Sequence, residues 1–414
     1  QVRTQIRSIR QPGLSLQRLH AHACRIGQKI AALDLTAQHI LVVEVIQGRL
    51  AVGLLIDLFH GLLTDFPELV TDVENVMKDQ FYQREKVTSL YYRWKTVLEK
   101  VSGSLNNQAE GFENLTFTFL SEDVIEINDG YLINNVLLYD ENDDHSAASR
   151  GYNVNEMALR YPSIQTYVYF PTRLEEIIDV GEGINYGLNY RYSFLGQLNS
   201  NIKWSALEIN SLEDHQKFFF KSDHHWNIRG AYQGYADIIN MIRKDFDIDE
   251  PREVLDEIVY PYEFHGNISS QVGMIGDTDH ITDYVLNGIE VHELYANGVL
   301  TDLNDAKREY LENGNDTQYS DYDLFFGDNY FERIFDFHQD DKPNILIFGD
   351  SYTNVIQEWV ASHFNKTVLI DLRARGEDFS LDKYIEEYQI DIILIVLPYN
   401  DLYFNGNMYI PLDD

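Results

Sequence analysis

Asn344-Ile-Leu-Ile-Phe-Gly-Asp-Ser-Tyr-Thr-Asn-Val-Ile-Gln-Glu-Trp-Val360 decides the fold: an apolar run, a Gly-Asp-Ser corner, then a helical pattern. Ile345 to Phe348 has the length and β-branched content of a strand buried on both faces. After the corner, Val355, Ile356, Trp359, Val360 and Phe364 recur at helical spacing. Ser351 therefore falls where a strand ends and a helix begins, near unpartnered backbone N–H groups and the positive end of the helix dipole. An acyl-transfer enzyme would place a nucleophile there. The competing reading is that Asp350 and Ser351 only cap the helix.

Outward from the corner, Ile345–Phe348, Val355–Phe364, Val368–Leu372, Leu381–Tyr388 and Ile392–Leu397 alternate as βαβαβ, the pattern of a parallel, doubly wound sheet. Ligands of such sheets bind beyond the carboxyl ends of the strands. Ser351, Arg373 and Asn400 each lie just past a predicted strand end and are expected along one edge.

A second concentration of chemistry lies upstream, in Phe218-Phe-Phe-Lys-Ser-Asp-His-His-Trp-Asn-Ile-Arg-Gly-Ala-Tyr-Gln-Gly-Tyr235. Ile228, Ala231, Tyr232, Tyr235, Ile238, Ile239 and Ile242 form one apolar helical stripe, so Asp223 to Trp226 lie on the loop that feeds it. In extended backbone, side chains at i and i+2 leave on the same side, which lets Asp223 touch His225. A carboxylate against an imidazole fixes the tautomer and stabilises the protonated ring, as a base for a serine requires. A surface or helix-capping cluster is the alternative.

The remaining chain is read more coarsely. Helical spacing is expected from about Phe66 to Val101, and short strands at Leu115–Leu120, Val124–Ile127 and Tyr131–Tyr139, with a turn at Asn128-Asp-Gly130. Residues 140–150 are read as a polar loop, Asn155–Tyr161 as a helix and Ile164–Phe170 as an interior strand. Helices are expected at Leu174–Val180 and Tyr192–Asn201, on either side of a Gly-rich loop, followed by an extended run at Ile202–Ile209. Residues 250–342 are the least periodic part, read as either a long excursion over the active edge or a small β-rich insertion.

Composition bounds the partners. Sixty-seven acidic against 32 basic residues give a net charge of −35, which repels nucleic acid and anionic lipid; solubility alone also accounts for so acidic a surface. The single cysteine, Cys24, excludes an internal disulfide and a thiolate cluster. Residues 1–60 form an atypical segment read as lying outside the fold. In its first fifty positions Arg3, Arg7, Arg10, Arg18, Arg25, Lys29 and Arg49 face only Asp34 and Glu44, leaving about −40 on the rest. A first residue that is not Met suggests a processed or truncated start, or foreign sequence. The apolar patches at 40–46 and 50–56 are broken by charges and too short for a membrane span.

Taken together, Asp223-His-His-Trp226 and Gly349-Asp-Ser351 resemble the motifs of the DHHW proteins, relatives of the SGNH-hydrolase-like domains of alginate O-acetylation proteins. The resemblance spans roughly residues 65–414. It implies an α/β, flavodoxin-like domain at 61–414, with a parallel sheet flanked by helices and an irregular insertion at about 250–342. The motif order is permuted relative to common SGNH esterases, whose serine comes first. Ser351 would be the nucleophile, His225 the base and Asp223 its orienting acid. The Gly and Asn blocks that complete the oxyanion hole do not match cleanly. Asn400 fits by position, and Asn329 in Phe326-Gly-Asp-Asn329 is a rival.

The implied function is transfer of an O-acyl group, such as acetyl, or hydrolysis of its ester, on a cell-surface or exported bacterial polysaccharide. Trp226, Tyr352 and Arg373 would contact the carbohydrate, although for any one tyrosine core packing competes. The resemblance implies no cofactor or metal, a location outside the cytoplasmic membrane, and partners in a cell-surface assembly. One alternative is a non-catalytic glycan-binding module of a cell-surface assembly. Another is a metal-dependent phosphoesterase, with His265, Asp277, Asp279 and His280 as further ligands to Asp-His-His.

Overall fold

The computed structural model describes residues 111–138, 140–180, 185–273, 278–302, 322–326, 330–374, 379–398 and 409–412. The basic segment 1–60, the helices expected between Phe66 and Val101, and Asn329, Asn400 and Asp277 lie outside the described residues. In chain order the elements are β1 (Phe117–Phe119), β2 (Val124–Ile127), β3 (Leu132–Asn134), α1 (Glu141–Arg160), β4 (Gln165–Phe170), α2 (Gly187–Leu195) and β5 (Lys203–Ala206). Next come α3 (Leu212–Phe218), α4 (Ile228–Ile242), β6 (Val254–Phe264), α5 (Asn267–Gln271), β7 (Asp279–Leu286), β8 (Glu293–Ala296) and β9 (Val299–Leu300). The remainder are α6 (Tyr322–Phe326), β10 (Glu332–Asp336), β11 (Ile345–Phe348), α7 (Thr353–Ala361), β12 (Lys366–Ile370), α8 (Leu381–Tyr388) and β13 (Ile392–Val396).

The main sheet has the order β5-β4-β13-β11-β12-β10-β8-β9. From β5 to β12 neighbouring strands are parallel, and β12, β10, β8 and β9 pair antiparallel. The sheet is thus mixed, which corrects the parallel sheet expected from the βαβαβ pattern. The antiparallel strands come from the weakly periodic stretch 250–342, where short runs carried little signal. That stretch also supplies the separate β6–β7 ribbon, and β1, β2 and β3 form a small antiparallel sheet.

β11 runs between β13 and β12 with all four residues buried. Ile345 and Ile347 pack into the same core as Ile228, Tyr235 and Ile239 of α4 and Val355, Ile356 and Trp359 of α7. Leu346 and Phe348 pack on the opposite face with Val154 and Met157 of α1, Phe194 of α2 and Leu381 of α8. A strand covered by helices on both faces has no polar side, which is why its sequence is apolar without alternation.

Three local expectations are corrected. The polar stretch 140–150 is the first half of α1, because Asp140 caps it by accepting from the N–H groups of Asn142 and Asp143, and Glu141, Asn142 and His145 face solvent while Ala147 and Arg150 turn inward. The helix expected at Leu174–Val180 is only a 3-10 turn, Leu174–Glu176, and the one expected at Tyr192–Asn201 runs instead as α2. α2 begins at Gly187, where a Cβ would lie 2.6 Å from the Glu176 Cα; only glycine allows that approach.

Two buried imidazoles link this packing to pH. His215 of α3 stacks on Phe219, and His363, just after α7, meets the Tyr235 hydroxyl at 2.7 Å. Burial pushes both down to about 3. The unfolded chain takes up protons at these rings below about pH 6.5 and the folded chain does not, so stability is complete above that value and falls as pH drops. Each ring contributes a slope of up to about 1.4 kcal/mol per pH unit. Denaturant melts between pH 7.5 and 5 should show this loss, and His215→Phe should flatten it.

Candidate functional site

The site forms where the corner after β11 meets the loop that enters α4. Gly349 can occupy the corner because a Cβ there would lie 2.3 Å from the Thr353 side chain. The Asp350 carboxylate then accepts from the Tyr352 N–H at 2.9 Å, and its backbone carbonyl accepts from the Thr353 N–H and hydroxyl. Asp350 thus closes the turn, but α7 has no side-chain cap, which corrects the reading of Asp350 and Ser351 as helix caps, and Ser351 is left to project from the turn. The Asn354 N–H goes to the Ser351 carbonyl, while the Ser351 N–H has no acceptor among the described residues.

Ser351 Oγ lies 2.8 Å from His225 Nε2, and His225 Nδ1 lies 2.6 Å from Asp223 Oδ1. Asp223 also accepts from the His225 N–H at 2.9 Å and, through Oδ2, from the Asn267 N–H at 2.6 Å. Burial alone would favour its neutral form. The imidazoles of His225 and His224 and these hydrogen bonds outweigh that, holding the carboxyl well below the usual carboxylate range. An ionised Asp223 can only accept, so Nδ1 carries the ring proton and Nε2 turns a lone pair to the serine hydroxyl.

Behind Asp223 lies a second layer. Gly266 packs so close that a Cβ there would fall 2.3 Å from the Asp223 Cβ and 2.5 Å from the Ser222 carbonyl oxygen. The Gly266 N–H donates to Ser222 Oγ, whose hydroxyl donates to Asp279; Asp279 also accepts from the N–H groups of Lys221 and Ser222. Burial raises the Asp279 carboxyl above its ordinary value.

The other expected site residues separate into those near this chain and those turned away. Trp226 is 0% exposed and Tyr352 1%, so neither offers a ring face to a sugar, correcting their expected role in carbohydrate contact. Trp226 follows α4 inward against Gly230 and Gly234, and Tyr352 packs edge-on to it with its hydroxyl bonded to the His224 carbonyl. Arg373 is partly exposed, pairs with Asp371 at 2.7 Å and reaches to 4.0 Å from Asp350. The side chain of His224, 23% exposed, tilts against His225 with ring centroids 4.0 Å apart. Burial and the neighbouring His225 hold its own pKa well below the ordinary histidine value.

Asp223, His224 and His225 are the one group of three potential metal ligands among the described residues, with ligand atoms within 4.8 Å of one another. Both ring nitrogens of His225 are already engaged. Asp279 is committed to the Ser222 loop and His280 is exposed, so these further ligands do not join the group. No helix among the described residues is long and apolar enough to cross a membrane.

One residue escaped the sequence reading. The Tyr322 ring lies flat on His225, with centroids 3.7 Å apart and planes 3° apart, and its hydroxyl donates to the Ser351 carbonyl at 3.1 Å. Among 28 tyrosines, and in a five-residue helix within an aperiodic stretch, nothing in the sequence distinguishes it.

No family model and no curated protein matches this chain. Solved structures do. PatB1 of Bacillus cereus aligns with a TM-score of 0.57 at 20% identity, covering 72% of this chain and 100% of that one. A DHHW family protein from Eubacterium siraeum aligns at 0.52 and 17% identity, covering 71% and 97%. The O-acetyltransferase domain of Pseudomonas putida AlgJ is also matched, over 69% and 94% of the chains at 10% identity, but its TM-score of 0.37 carries no argument. At these identities the first two likenesses are of fold.

The packing of Gly266 gives a test of the site geometry. In Gly266→Ala the added methyl meets backbone that cannot yield, so Asp223 must shift and its bond to His225 lengthens. The low-field proton resonance of the His225 Nδ1–H, expected in the wild-type NMR spectrum, should move upfield or exchange away.

Proposed function

We propose that this chain is a serine acyl-transfer enzyme that moves an O-acyl group, such as acetyl, on or off a cell-surface or exported bacterial polysaccharide. The observation that carries the reading is the unbroken hydrogen-bonded chain from Asp223 through His225 to Ser351. In this reading the domain is SGNH-hydrolase-like with its motif order permuted, the base preceding the nucleophile along the chain.

Ser351 Oγ attacks the acyl carbonyl carbon while its proton passes to His225 Nε2, and the ionised Asp223 stabilises the imidazolium that results. The Ser351 N–H faces the developing oxyanion, with Asn400 or Asn329 as the side-chain donor. One such donor is worth about 3 to 4 kcal/mol of transition-state stabilisation. As the donor's C–O bond breaks, His225 returns the proton to the leaving alkoxide. A sugar hydroxyl or water then attacks the acyl-enzyme, losing its proton to His225; the bond to Oγ breaks and Oγ is reprotonated. In this reading Arg373, partly exposed and 4.0 Å from Asp350, would meet a polar group of the carbohydrate.

A solved structure of PatB1 carries a sulfonyl adduct; sulfonyl fluorides trap activated serines in general, so a sulfonyl fluoride serves as a probe for this chain. Wild type should take up one phenylmethanesulfonyl group at Ser351 by mass spectrometry and release acetate from a chromogenic ester. Ser351→Ala should do neither, and Asp223→Asn should lose about 10³- to 10⁴-fold in kcat. Acylated product that depends on an added oligosaccharide would identify a transferase. A wild-type protein inert to both reagents would leave glycan binding without turnover as the function.

A further inference from the structure

We infer that Tyr322 is a positioning residue for the Ser351–His225 pair, bracing base and nucleophile at once; this rests on the acyl-transfer reading. A histidine ring linked only through Nδ1 and Nε2 can still rock about the line joining its two partners, because the terminal torsion of its side chain is broad. The flat stack of Tyr322 on one face, with His224 tilted against the other, closes that freedom. The hydroxyl on the same ring donates to the Ser351 carbonyl, so the aromatic plane that fixes the imidazole also fixes the turn bearing the nucleophile. The two functional residues come from segments far apart in sequence, and Tyr322 contacts both.

Tyr322 is itself held. Phe325 and Phe326 follow it into the core, Phe325 meeting the Tyr260 ring at 4.8 Å, and Phe220 approaches Tyr322 edge-on at 6.5 Å. Tyr322 is buried, so solvent does not compete for its hydroxyl bond. The stack acts most when the imidazole carries charge, since an aromatic face attracts a cation. A tyrosine here therefore helps the step that charges His225 more than it helps the resting protein, which separates it from ordinary core packing.

The test uses the full chain with Tyr322→Phe, which keeps the ring and loses the hydroxyl, and Tyr322→Leu and Tyr322→Met, which fill the space without a ring. In histidine-labelled protein, the His225 ring protons should be shifted upfield by the overlying ring in wild type and Tyr322→Phe, and should return toward the other histidines in Leu and Met. With a chromogenic acetyl ester, Leu and Met should lose about 10- to 100-fold in kcat with KM unchanged, the scale expected for small misplacement. Tyr322→Phe should restore most of that loss. A folded Leu or Met variant with wild-type kcat and ring shifts would overturn the inference, as would Tyr322→Phe falling as far as Leu. If wild type neither releases acetate nor acylates an added oligosaccharide yet shows the upfield shift, and Leu or Met loses both that shift and the rate of sulfonylation at Ser351, the brace stands and the acyl-transfer reading falls.

Discussion

The site depends on keeping one carboxylate charged where water does not reach. Asp223 is buried, and an isolated ion in such a place would simply take up a proton. It stays ionised because the backbone N–H groups of His225 and Asn267 and the His225 ring converge on its two oxygens. That convergence requires the Asn267 segment to approach closely, which the missing side chain of Gly266 allows and the Asp279–Ser222 layer stabilises. If this support fails, the orientation of His225 fails with it, although none of these groups touches the serine.

The second requirement is topological. β11 delivers Ser351 at its carboxyl end from the interior of the sheet, and α4 stands over one face of that sheet so that its entering loop ends above the corner. Trp226 marks the join: its buried ring wedges against two glycines of α4 and the edge of Tyr352, tying the histidine loop to the serine turn by packing alone. The aromatic residues that a sequence reading assigns to sugar recognition thus serve here as the spacer between the two halves of the site.

How much of this was legible follows from where the signal lies. β11, α7, β12, α8 and β13 could be read because strands buried on both faces and amphipathic helices leave patterns within a few residues. The proximity of Asp223 and His225 followed from the two-residue periodicity of extended chain. α1 was missed in its first half because an exposed helix face is as polar as a loop, and only the cap at Asp140 distinguishes the two. The antiparallel edge was missed because strands as short as β9 carry no periodicity. Tyr322 and Gly266 were invisible because their importance is a matter of distance to residues remote in the chain.

The register of the sheet also sets an order of assembly. β4 pairs with β13, Gln165 opposite Ile392, and β13 is the last strand in sequence among the described residues. During synthesis the two sides of the sheet therefore wait for a strand made after nearly everything else, and contacts this distant in sequence close slowly. Ser351 is synthesised before β13, but the sheet that aims it is finished only when that strand inserts between β4 and β11. A nascent chain would accordingly carry all three site residues for some time before it carried a site.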